Sequence, residues 1–271
     1  MDFSSSILLG IIQGLTEFLP ISSSGHLVLF QNLLGYREPA LLFDVGLHLG
    51  TLTAVCLYFR TDLKNMMKET WPFFSHLSHG RKALKDFAEN PYAALTLWVV
   101  IGTLPTALIG ILFRIPLENL FASVNAVGVM LLCTGAILAA VIFIPDNYNR
   151  RTTIGILAAL AVGIAQGIAI APGISRSGAT IVCGMFFGLR RDLAARFSFL
   201  LSVPAIFGAM VVQLSALDAS PVGLAPWSFG FLSSLLVGLL ALRILMHVVQ
   251  KGKLFYFAPY CGALGLFMLW W

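Results

Sequence analysis

The fold class this sequence predicts is an all-α integral membrane protein, with six transmembrane helices and two re-entrant helical hairpins arranged as an inverted-topology repeat. Three observations predict it. The composition is 58% hydrophobic and only 11% charged, against roughly 25% charged in a soluble domain, and the mean hydropathy is +0.90. Apolar stretches close to the ~20 residues needed to cross a bilayer recur along the chain. Two further apolar segments are interrupted by proline, glycine and serine, and they align with one another at a fixed offset.

The six spans fall at Ala40–Phe59, Tyr92–Phe113, Val124–Ile144, Leu193–Leu214, Trp227–Val249 and Leu254–Trp271. A soluble fold could not bury that much apolar surface. The opening residues Met1 to Ser6 lack a positively charged stretch, and no small-residue cleavage site follows the first apolar run, so the N-terminus is expected to belong to the mature protein. Cys56, Cys133, Cys183 and Cys261 lie within apolar stretches without CxxC or Cys/His spacing, which predicts buried, inert thiols with neither disulfides nor zinc. The net charge of +5 reflects basic residues at helix ends. No aromatic-interleaved basic patch is present, so no nucleic-acid partner is expected.

The two interrupted segments begin at Ile7–Leu19 and Ile154–Ile170. At an offset of 153 residues, Gly10-Ile-Ile-Gln13-Gly14 lies over Gly163-Ile-Ala-Gln166-Gly167, and Ile21-Ser22-Ser23-Ser24-Gly25 over Ile174-Ser175-Arg176-Ser177-Gly178. Gly35 then falls on Gly188 and Arg37 on Arg190. Identities that include polar residues are not expected from apolar composition alone. An internal duplication follows, with repeats of approximately 1–145 and 146–271 in a single membrane domain.

Lys and Arg set the orientation. With the loop Thr61–Asn90 cytoplasmic and both interrupted pairs re-entrant, 14 of the 17 basic residues lie inside, Arg81, Lys82, Lys85 and Arg150 among them; Arg37 and Arg114 lie outside, and Arg176 lies in a motif. Three crossings separate the hairpins, so their senses are opposite and both termini lie outside. Irregular backbone survives at membrane depth only inside protein or along a wet cavity, so the meeting point of the two breaks is the expected site.

The first motif runs from Gln13 to His26. Gln13 and Glu17 share a helix face, Pro20 ends that helix, Ser22 or Ser23 caps the next, and His26 lies in its first turns. A carboxylate in the membrane is costly and usually functional; the alternative is a helix cap with a satisfied histidine. The second motif, Ala171 to Thr180, places Arg176 at the repeat position of Ser23. Helix N-termini favour anions, and an arginine flanked by hydroxyls sharpens that preference toward phosphate oxygens; the alternative is an arginine paired structurally with Glu17. The combined inventory suits phosphoryl chemistry. Ser23 could attack phosphorus or His26 could activate a water, with Arg176 neutralising charge on the transferring group. Ser22, Ser175, Ser177, Thr180 and Gln13 complete the expected substrate contacts. Glu17 and Gln13 could hold a divalent metal, Mg²⁺ or Ca²⁺.

Residues Gln13–His26 and Pro172–Thr180 resemble the two signature motifs of the bacterial undecaprenyl-diphosphate phosphatases of the bacitracin-resistance type, and length and motif spacing extend the resemblance over the whole chain. It implies removal of the terminal phosphate of undecaprenyl diphosphate, which returns the monophosphate carrier to cell-wall synthesis. It further implies a metal-dependent enzyme of the bacterial plasma (inner) membrane whose site opens to the periplasmic side, with a polyprenyl diphosphate and membrane lipids as partners and a homodimer left open. The family's glutamate, serine and histidine fall on Glu17, Ser23 and His26, and its serine, arginine and threonine on Ser175, Arg176 and Thr180. The position that is Glu or Gln in the family is Gln13 here, which leaves one carboxylate in the motif. The acid-phosphatase-like lipid phosphatases pair a later arginine with a second histidine, whereas here no histidine follows Arg176 before His247.

Asp44 and His48, four apart within a span, are expected to line the cavity behind the main residues. Asn125 and Arg243 read as interhelical or snorkelling contacts, and His76 and His79 as solvated. The competing function is a transporter or flippase of a polyprenyl phosphate or other anion, since inverted repeats with broken helices are also transporter architecture. The acid, nucleophile and imidazole together favour chemistry.

Overall fold

The computed structural model describes residues 2–36, 41–75, 90–121, 123–145, 148, 151–215 and 223–270. Arg37, Arg81, Lys82, Lys85, Arg150, His76 and His79 lie outside the described residues. Within them the protein is helical, without a strand; one isolated bridge joins Arg151 to Leu189. Four helices are long and apolar enough to cross a membrane: Pro91–Leu112 (α5), Val124–Phe143 (α7, Val124–Ala139, with its 3₁₀ extension), Arg191–Val212 within α10 (Arg191–Ser215), and α11 (Leu224–Gln250). The chain is a multi-pass membrane protein. The other two expected spans fall among the shorter apolar helices: α3 (Leu41–Tyr58) and the final segment of a 3₁₀ turn plus α12 (Ala258–Trp270).

Both interrupted segments fold as helix, break, helix. The first is α1 (Phe3–Phe18) and α2 (Ser23–Leu33); the second is α8 (Ile156–Ile168) and α9 (Arg176–Phe186). Asp2 caps α1 by accepting from the Ser5 amide at 2.8 Å. Pro20 has no N–H to continue the helix, so α1 ends at Phe18. Ser22 rather than Ser23 caps α2, its hydroxyl accepting from the Gly25 amide. Ser175 caps α9 in the same way through the Gly178 amide. Helices α2 and α9 each start and stop 153 residues apart, and both close at a glycine with φ of +80°, Gly35 and Gly188. Only glycine adopts that conformation without strain, and it lets the following amides turn back onto the last carbonyls of the helix.

Small residues bring the broken helices close to long neighbours. A methyl group on Gly14 of α1 would come within 2.8 Å of the Ser234 carbonyl of α11. One on Gly167 of α8 would strike the Ile109 side chain of α5. The main core lies where Phe18, Phe197, Phe199, Val162, Ile181, Leu242 and Leu245 pack together, directly beneath the breaks.

Two helices interrupt regions expected to be loops. Helix α4 (Arg60–Ser75) occupies the first half of the basic loop, with Met66 buried against the core and Asp62 paired with Arg196 of α10. Helix α6 (Arg114–Phe121) lies at the second break, where Leu117 and Leu120 pack on Ala169, Ala171, Ile174 and Ala179. The cysteines are free, but Cys133 is exposed on the outer face of α7, where a small apolar residue meets lipid as readily as protein.

Candidate active site

The two breaks touch. The Gly173 amide donates to Ser24 Oγ at 3.4 Å. From α7, Thr134 Oγ1 donates to the Gly173 carbonyl at 2.8 Å and accepts from the Ser175 amide at 2.9 Å. Non-helical backbone groups at the breaks thus find partners in side chains. Gly173, with φ of +95°, is pressed against the backbone of α7, where an added methyl would meet the Val127 carbonyl.

Glu17 is the centre of the site. Its Oε1 accepts from Arg176 Nη2 at 2.6 Å; its Oε2 accepts from Ser23 Oγ at 2.6 Å and from Gln13 Nε2 at 3.1 Å. One carboxylate therefore gathers the nucleophile candidate of the first break and the guanidinium of the second, the latter 159 positions from Glu17 itself. The expectation that Gln13 and Glu17 share a face is met. Gln13 Nε2 spends its other hydrogen on His48 Nδ1 at 2.9 Å, so His48 is drawn into the site from α3. Asp44, one turn before His48, accepts from Gln31 at 2.8 Å.

Two buried atoms in this cluster have no hydrogen-bond partner among the described residues: Gln13 Oε1 and Arg176 Nη1. The first is an acceptor and the second a donor. Orphans of opposite character on two residues of one cluster are what a site built for a ligand leaves behind.

The remaining predicted residues are distributed as follows. His26 is buried; its Nδ1 lies 2.8 Å from the Ser22 carbonyl and its Nε2 lies 2.7 Å from the Tyr260 hydroxyl of α12. A carbonyl can only accept, so Nδ1 carries the proton and Nε2 accepts from Tyr260. Ser22 itself has φ of 67°, in the left-handed region that a serine adopts at a cost of about 1–3 kcal/mol. Ser22 and Ser175 are spent on capping, and Ser177 lies 3.3 Å from Ser175, hydroxyl to hydroxyl. Thr180 is fully buried one turn into α9, with its hydroxyl bonded to the Arg176 carbonyl at 2.7 Å and to Ser198 of α10 at 2.5 Å. It supports the turn that carries Arg176. Sequence reasoning missed Tyr260, Thr134, Ser198 and the bridging role of Ser24; only Ser24 carried a signal, as a repeat identity with Ser177.

The sequence pattern of the bacitracin resistance protein BacA family matches residues 6–267. The chain is 43% identical over 271 residues to a protein of Desulforapulum autotrophicum, covering 98% of this chain and 97% of that one. It is 44% identical over 273 residues to one of Desulfatibacillum aliphaticivorans, covering 99% and 98%. The match to a protein of Desulfosudis oleivorans is 45% over 280 residues, covering 100% and 98%. All three relatives carry the name undecaprenyl-diphosphatase. On the match of that pattern to nearly its whole length, the chain belongs to the bacitracin resistance protein BacA family.

Proposed function

We propose that this protein hydrolyses undecaprenyl diphosphate to undecaprenyl phosphate and inorganic phosphate, in the site centred on Glu17. The observation that carries the reading is the pair of 2.6 Å bonds by which one buried carboxylate holds both Ser23 and Arg176. A carboxylate on a serine hydroxyl is a nucleophile with its base. Anion transport has no use for that pairing, so the chemistry favours hydrolysis over the transporter alternative.

In the reaction, Ser23 Oγ attacks the terminal phosphorus while Glu17 Oε2 takes its proton. The bond to the bridging oxygen breaks, and undecaprenyl phosphate leaves with that oxygen. Arg176 Nη1, unpartnered and next to the reacting centre, neutralises charge on the transferring group, aided by the free first amides of α2 and α9. A water then attacks the phosphoserine, the bond from phosphorus to Ser23 Oγ breaks, Oγ takes back the proton held by Glu17 and inorganic phosphate leaves; in this reading His26 accepts the water's proton. Ser22, Ser175 and Ser177 act by holding the helix starts in place.

A divalent cation, Mg²⁺ or Ca²⁺, fits the donor set on one observation: Gln13 Oε1 is a buried oxygen without a donor, beside the carboxylate of Glu17. No group of three His, Cys, Asp or Glu side chains occurs among the described residues, so Gln13 and Glu17 would hold the ion together with phosphate oxygens of the substrate, as Mg²⁺ commonly accepts. When bound, it would withdraw charge from the diphosphate.

The proposed topology is six crossings and two re-entrant hairpins in inverted repeats of about 1–145 and 146–271, in the bacterial plasma membrane, with the site open to the periplasmic side and both termini outside. The lengths of α1 and α8 support it: 16 and 13 residues rise only about 20–24 Å, short of the ~30 Å hydrocarbon core. The matched bounds of α2 and α9 support the duplication.

Detergent-purified protein given a long-chain prenyl diphosphate and Mg²⁺ is expected to release phosphate, and Glu17→Ala and Arg176→Ala to lose about two orders of magnitude or more of that rate. Undiminished release by both variants would remove the site assignment, and no release by the native chain would remove the function. Chelating divalent cations is expected to stop release.

A further inference from the structure

His26 is 4% exposed, and both of its ring nitrogens are occupied. On one side the Ser22 carbonyl fixes the proton on Nδ1, and the positive φ of Ser22 is part of how that carbonyl is presented to the ring. On the other side stands Tyr260, 234 positions away in the last helix. The two ring planes are nearly parallel, 6° apart, with centroids at 5.8 Å, an offset stack that the hydrogen bond joins. The next residue, Cys261, is buried with its thiol 3.6 Å from the Pro20 carbonyl, which ties α12 to the same break. Tyr260, unlike His26, is 47% exposed.

We infer that Tyr260 is a positioning residue for the phosphatase reaction, its hydroxyl fixing the direction of the His26 imidazole, whose Nε2 is the basic atom. The inference rests on the hydrolytic reading given above and on His26 serving it. A histidine held by the Ser22 carbonyl alone keeps its tautomer but is free to swing about that bond, so its basic nitrogen has no fixed direction. Tyr260 supplies the second point of attachment. Tyr260 is half-exposed where the histidine is buried. A protonated Nε2 passes its hydrogen to the tyrosine oxygen as the phenolic hydrogen leaves to water, and the reverse order resets the pair without net change.

The test uses the full-length protein in detergent, a long-chain prenyl diphosphate, Mg²⁺ and phosphate release. Four variants are compared: Tyr260→Phe, His26→Ala, the double variant, and Tyr256→Phe as a control on an exposed tyrosine of the preceding turn. Tyr260→Phe keeps the ring and its packing. The expected result is a kcat lowered about ten-fold at unchanged KM, no further loss on adding Tyr260→Phe to His26→Ala, and native kinetics in Tyr256→Phe. A native kcat in Tyr260→Phe overturns the inference. So do losses that multiply in the double variant, since Tyr260 would then act independently of His26. Full activity in His26→Ala overturns it too, while leaving the phosphatase reading intact. Absence of phosphate release by the native protein overturns both. An unchanged thermal unfolding midpoint in Tyr260→Phe separates positioning from folding.

Discussion

The two breaks are built from the same backbone and carry different chemistry. Both consist of a short helix, an irregular turn and an 11-residue helix capped by a serine, Ser22 or Ser175. Side chains differ at a few register positions: Glu17 faces Ile170, Ser23 faces Arg176 and His26 faces Ala179. In the proposed reaction the first break supplies the nucleophile and both proton acceptors, and the second supplies the cation. Read as a duplication, the scaffold would present two helix starts to one anion, with divergence at three positions assigning proton transfer to one copy and charge neutralisation to the other. The backbone differs in one further respect. Ser22 has φ of 67° and Ser175 has φ of −75°, so conformational strain sits in the copy that carries the reacting groups.

Substitutions ordered by expected effect can break this division of labour. Ser23→Ala is expected to lower kcat by about four orders of magnitude or more, because no other described hydroxyl bonds to Glu17; failure to trap a phosphoserine in the native protein would move the attack to water. Arg176→Lys keeps a positive charge but loses the fork that reaches Glu17 with one nitrogen and the substrate with the other. A loss of about 10²–10³ in kcat is expected, and native activity would reduce the second break to a point charge. The smallest effects concern stability, read as thermal unfolding in detergent. Ser175→Ala removes a cap and is expected to cost about 1 kcal/mol. Ser22→Gly is expected to stabilise by about 1 kcal/mol, since relief of the left-handed backbone outweighs a cap that glycine replaces at little cost. Equal signs for the two serines would show that the breaks are conformationally alike.

Much of this was legible in the residues. Proline and glycine punctuation marked both breaks, serines marked the helix starts, and the repeat identities implied that the two starts are related. The pairing of Glu17 with Arg176 entered as an alternative to phosphate binding and is found; Nη2 meets the carboxylate while Nη1 stays unspent. Hydroxyls were harder to read. Ser22, Ser175 and Thr180 were expected on substrate; the structure adds that their oxygens are also bonded to helix amides or to Ser198, because a buried hydroxyl is bound first by the nearest unsatisfied group. Partners contributed from far along the chain left no local pattern at all. Tyr260 and Thr134 sit within apolar runs whose periodicity reports only that they are helical. Helix α4 was hidden by its charge, since a helix lying against the spans with only Met66 buried among its described side chains looks like a loop to any hydropathy measure.

Thr134 fastens two consecutive peptide groups of the second break to α7, and the opposite face of that span carries exposed Val129, Ile142 and Phe143. The same rod that rests on acyl chains outside therefore clamps, inside, the turn from which Arg176 projects. In the proposed reaction, a tilt of this span in a thinner or thicker bilayer would displace the guanidinium, and the mechanical state of the surrounding lipid would become part of the geometry of catalysis.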